Sequence, residues 1–132
     1  MRKLVSARLA GNILLAAFGL LAIFHVLVLL GVLPPNIIWG GQAAGSPASL
    51  RTLELVALLV TLLFEVVVAA KVDYIKAGRF RILVTIGIWI VFAYLLLNTV
   101  GNIASAVRFE NLIFAPVTFI LALCALRLAI EK

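Results

Sequence analysis

The chain predicts an all-α integral membrane protein, an antiparallel four-helix bundle with both termini in the cytoplasm. Three observations carry that expectation. Four long apolar runs divide the 132 residues, at 13–33, 53–70, 82–100 and 112–130. Hydrophobic residues make up 66% of the chain and charged ones 12%, against about 45–50% and 25% in soluble domains. The 11 Lys and Arg residues are also unevenly shared between the connections.

Each run is justified by length. A helix rising about 1.5 Å per residue needs roughly 20 apolar residues to cross a hydrocarbon core of about 30 Å. The first run follows Arg2, Lys3 and Arg8 and is stopped by Pro34 and Pro35. It exceeds the roughly 7–15 apolar residues of a cleaved signal, so it reads as a retained helix. The second run is the shortest and ends at Lys71. The connection before it holds Gly40, Gly41, Gly45 and Pro47, which disfavour a continuing helix. Ile37, Ile38 and Trp39 within that connection suit an interfacial anchor, with a lid over an outer cavity as the alternative. The connection 71–81 is short, which pairs the second and third runs. The turn around Asn102–Glu110 does the same for the third and fourth, with Arg108 and Glu110 expected as an exposed local pair. One domain results, without an internal repeat.

Charge sets orientation. Arg2, Lys3, Arg8, Lys71, Lys76, Arg79, Arg81, Arg127 and Lys132 fall on one side, and only Arg51 and Arg108 on the other. Basic residues concentrate on the cytoplasmic face of membrane proteins, so that bias places both termini and the middle connection there, in the cytoplasmic (inner) membrane. The same residues face anionic lipid headgroups. They form short flanks and no extended basic surface, so the net charge of +6 does not indicate nucleic acid.

The polar residues inside the runs are the candidate site. Counting from the inner ends at about 1.5 Å per residue puts His25, Glu54 and Asn98 all roughly 24–25 Å up. Three side chains from three helices thus share one level beneath the outer surface, with Tyr94 one turn deeper. Glu54, Thr61 and Glu65 lie within about 40° of one another on the second helix, a polar stripe running inward. On the third, Gly87, Tyr94, Asn98 and Gly101 share a face suited to protein or water. Glu65, roughly 9 Å inside the inner boundary, needs a partner or a proton, because lipid tolerates few bare charges. His25, Glu54, Glu65, Tyr94 and Asn98 are therefore the ligand-binding or proton-coupling candidates. For each there is a plainer role: Glu54 near water at a helix start, His25 and the asparagines as interhelical hydrogen-bonding groups.

A second pattern lies on the fourth run. Asn111, Ala115, Thr118, Ala122, Ala125 and Ala129 recur at intervals of four and three, a groove that another helix can approach closely. It packs inside the bundle or against a second copy or partner membrane protein. Pro116 sits in the first turns of this helix or kinks it.

Chemistry narrows the function. One histidine and one cysteine offer neither paired haem ligands nor an intrachain disulfide. No metal site is expected, since only His25 and Glu54 share a depth, while Cys124 reads as a small packing residue. No cofactor and no hydrolase, Walker or dinucleotide motif is indicated, and an enzyme is the weaker expectation. Three functions stay open. The chain binds or transports a small or amphipathic molecule, with proton coupling through Glu65. Alternatively it is a non-catalytic accessory or assembly subunit, or a lipid-modifying enzyme built on His25 and Glu54.

The size and four-span plan resemble the small multidrug-resistance transporters, in which an embedded glutamate exchanges protons for a cationic substrate. That family carries its glutamate in the first span; here the first span holds His25, so no residue role is transferred. The stretch Leu97-Asn98-Thr99-Val100-Gly101-Asn102, with Arg108-Phe109-Glu110 and Pro116-Val117-Thr118, is similar to small uncharacterised bacterial membrane proteins, a likeness that implies no activity.

Overall fold

The computed structural model describes residues 5–34 and 47–131, with Pro47 and Ala48 described by backbone alone. Ile37, Ile38 and Trp39 lie outside the described residues. Four helices form a bundle: α1 (Ala7–Leu29), α2 (Pro47–Lys71), α3 (Arg81–Ala104) and α4 (Ala115–Ala129). A 3₁₀ turn, Gly78–Phe80, leads into α3, and a π-helical turn, Glu110–Phe114, leads into α4. Each helix with its leading turn is long and apolar enough to cross a membrane.

Local chemistry sets the ends. Ser6 caps α1, its hydroxyl accepting from the Leu9 amide at 3.1 Å, which satisfies one of the free amides of the first turn. α1 stops four residues short of the end of its apolar run. Gly31 takes φ 75°, and the Gly31 and Val32 amides close back on the Val28 and Leu27 carbonyls. That is a glycine-terminated helix end, which needs a left-handed residue. α2 ends in the same way with Asp73 at φ 63°, and the Tyr74 amide bonds the Ala69 carbonyl at 2.9 Å. Pro116 stands at the start of α4, immediately after the π turn. The helix is already under way at Arg108, so Pro116, which has no N–H to give, falls at the change from π to α hydrogen bonding rather than at a free helix start.

Helices α1 and α2 pack together, as do α3 and α4; α1 also meets α4, and α2 meets α3. α1 and α3 are diagonal. The core runs through Leu14, Phe18, Phe64, Val68, Ile88, Val91, Ala125 and Leu128. Two contacts are close enough to depend on a missing side chain. A Cβ on Gly11 would lie 2.3 Å from Val72 Cγ1, and one on Gly87 would lie 2.9 Å from Val67 Cγ1. The outward faces are apolar: Ile82, Leu97 and Leu20 are 74%, 72% and 69% exposed. Leaving such side chains in water forfeits about 1.5–3 kcal/mol each, so the surface fits a polytopic membrane protein.

The start of α1 and the ends of α2 and α4 meet at one end, which also carries the basic residues. Tyr74 donates its hydroxyl to Asn12 Oδ1 at 2.8 Å, and Lys71 Nζ donates to the Glu131 carbonyl at 2.8 Å. Arg127, although buried, donates from Nε to the Val5 carbonyl at 2.9 Å and from Nη1 to Glu131 Oε2 at 2.5 Å.

Candidate functional site

The opposite end holds the most buried ionisable pair. His25 lies near the end of α1 and Glu54 near the start of α2, and Nδ1 of the imidazole is 2.6 Å from Glu54 Oε2. The two side chains are only 7% and 2% exposed. A buried carboxyl or imidazole is costly without a partner, and here each satisfies the other across the α1–α2 interface. Whether the proton sits on nitrogen or oxygen, the contact is a strong hydrogen bond between groups that both exchange protons.

A cleft of about 240 Å³ is bordered by Glu54 of the pair, with Val28, Leu30, Gly31, Leu50 and Arg51 among its other lining residues. It joins an apolar wall to one cation and one carboxylate. That combination suits a small molecule with an apolar body and a polar group.

The other candidates part company with this pair. Asn98 donates its amide to the Tyr94 carbonyl, one turn back on its own helix, at 3.3 Å. Tyr94 is 42% exposed, and its ring stands edge-on to Phe64 at 5.1 Å. Equal depth did not bring Asn98 to His25, because α3 lies diagonally from α1. The sequence expectation of a three-helix site therefore reduces to two helices. Thr61 lies on the stripe between Glu54 and Glu65 but gives its hydroxyl to the Ala57 carbonyl at 2.8 Å.

Glu65 faces α1 further along. A Cβ on Gly19 would lie 3.2 Å from its Oε1, so the absence of a side chain there makes room for the carboxyl. At the level of Glu65, Phe18 (beside Gly19 on α1) and Phe64 (beside Glu65 on α2) pack with their rings 5.8 Å apart.

The α4 stripe is turned inward. Ala115, Ala122, Ala125 and Ala129 are buried within this chain, and the Thr118 hydroxyl lies 3.0 Å from that of Thr99 on α3. Asn102 adds a contact from Nδ2 to Thr118 Oγ1 at 3.4 Å. The groove is filled by the protein's own helices. Cys124 is buried beside it.

Three polar features escaped sequence reasoning. Arg127 resembled a flanking charge, yet it is 5% exposed and ties α4 to the segment before α1. Glu110 is buried, not half of an exposed pair with Arg108, and accepts the Ser105 hydroxyl. Thr99 looked like an ordinary span residue; its interval of 19 residues from Thr118 across a tight turn was the signal available. Among the described residues, no group of three or more His, Cys, Asp or Glu could hold a metal ion. Comparison with known proteins finds no matching family model, no similar curated protein and no similar solved structure.

Proposed function

We propose that this chain is an antiparallel four-helix protein of the cytoplasmic membrane, with its basic end and both termini in the cytoplasm. In this reading it binds a small or amphipathic molecule in the outer cleft beside His25 and Glu54. The observation that carries the reading is a buried imidazole–carboxylate pair, 2.6 Å apart, whose carboxylate, Glu54, lines that cleft. Ionisable groups inside a membrane mark binding or proton-transfer sites more often than structural ones. Arg51 at the rim supplies a cation for an anionic or strongly polar ligand group, and the leucines and Val28 take its apolar part.

Binding is favoured over transport. Thr61, the polar stripe residue between the pair and Glu65, gives its hydroxyl proton to the Ala57 carbonyl of its own helix. A proton relayed inward along the stripe would therefore have to break that hydrogen bond. Native mass spectrometry of protein released gently from its own membrane tests the proposal. A bound molecule retained by the wild type and lost from Glu54→Gln, with helix content unchanged, supports it. Identical spectra for the two proteins contradict it. Proton flux in proteoliposomes that disappears in Glu65→Gln would restore the transport version.

A further inference from the structure

The basic end contains a second cleft, larger than the first and different in chemistry. It measures about 360 Å³ and is walled by α1, α2 and the start of α3. The charged or polar residues lining it are Arg8, Lys71, Asp73, Arg81, Thr85 and Glu131. Their charges do not simply cancel. The Glu131 carboxylate is held by Arg127 Nη1 at 2.5 Å, so its negative charge is already answered. Among the described residues Lys71 Nζ donates to the Glu131 carbonyl, a neutral acceptor, which leaves two further N–H groups for a ligand. Arg8 lies over the Tyr74 ring, 5.9 Å from its centroid, which orients the guanidinium without neutralising it.

Asp73 is set against a cleft cation. It lies 3.8 Å from Arg81 Nη2, with both side chains more than 70% exposed. An exposed pair at that distance is worth little and yields to a better partner. The Thr85 hydroxyl donates to the Arg81 carbonyl at 3.0 Å, so it offers no proton to an incoming anion. Recognition would fall to the three cations.

We infer that this cleft binds a phosphate-bearing anion, with Lys71 as the central ligand and Arg8 and Arg81 on either side. Cations from three helices converge on one cavity, where a phosphate oxygen cluster can meet all of them. Two sources share that chemistry: the headgroup of an anionic phospholipid at the membrane surface, and a free phosphate compound. The site is separate from the outer cleft and does not depend on any ligand there.

The test places the protein in phosphatidylcholine nanodiscs, with or without phosphatidylglycerol, and counts retained lipids by native mass spectrometry. A parallel arm titrates inorganic phosphate. Removal of one cation near a phosphate weakens binding about fivefold. Lys71→Gln keeps an amide donor for the Glu131 carbonyl and is expected to lose about that factor, with Lys71→Arg restoring it. Asp73→Asn removes the competing carboxylate, keeps a residue that tolerates positive φ, and is expected to tighten binding. Lys71-dependent retention of phosphatidylglycerol assigns the lipid source, and Lys71-dependent phosphate binding assigns the free anion. Lack of preference for phosphatidylglycerol over phosphatidylcholine together with no phosphate binding, or equal binding by wild type and Lys71→Gln, overturns the inference. Helix content of Lys71→Gln equal to that of the wild type by circular dichroism provides the folding control.

Discussion

Removing either partner of the His25–Glu54 pair should destabilise the bundle by more than an ordinary interhelical contact does. Hydrogen bonds between membrane helices average about 0.6 kcal/mol and reach about 1.7 in the strongest cases. This pair belongs at the upper end, since it is short, ionisable on both sides and at most 7% exposed. Truncation also leaves a buried polar group unsatisfied, at about 1–3 kcal/mol. We expect about 2 kcal/mol for His25→Ala and about 2.5 for Glu54→Ala, the larger because Glu54 has bonding beyond His25. With a coupling energy of about 1.5 kcal/mol, the double variant should cost about 3 and not the 4.5 of independent sites. Equilibrium unfolding in mixed dodecylmaltoside–SDS micelles, followed by tryptophan fluorescence, supplies all four corners of the cycle. A double variant equal to the sum of the singles within about 0.5 kcal/mol would refute the pairing.

Other features give equally direct expectations. Gly11→Ala places a methyl 2.3 Å from Val72 Cγ1 and should cost about 1–3 kcal/mol; adding Val72→Ala should recover part of it in the same unfolding assay. Ala125 has no exposed surface, so Ala125→Leu should destabilise the monomer by about 1–3 kcal/mol, whereas a partner-docking role would leave stability unchanged and abolish crosslinking. Glu65 is only half-buried, so a lipid-soluble carbodiimide should modify it and spare Glu54, as read by peptide mapping. Glu65→Gln should change stability by no more than about 0.5 kcal/mol.

The four helices were legible because hydropathy and the length of a bilayer-crossing helix are properties of the local sequence. The depth of His25 and Glu54 was legible for a related reason: a fixed rise per residue converts position into height. Which way a side chain points around the bundle is not local. Asn98 shares their level yet bonds its own helix, because its rotation depends on how α3 packs against α2 and α4. Arg127 was misjudged for the same reason. Charge near a helix end suggests a solvated flank, and only packing showed its guanidinium buried over the Val5 carbonyl. The early end of α1 was hidden too, since Val32 and Leu33 are as apolar as the helix they follow, and the left-handed turn at Gly31 decides the boundary.

The chain has a single histidine, so ¹⁵N solid-state NMR of histidine-labelled protein in lipid bilayers observes the imidazole without overlap. If the pair is formed and shielded, Nδ1 gives a strongly hydrogen-bonded resonance that exchanges slowly with solvent and moves in Glu54→Gln. An imidazole spectrum typical of free histidine, exchanging rapidly and unmoved by that substitution, would contradict the account.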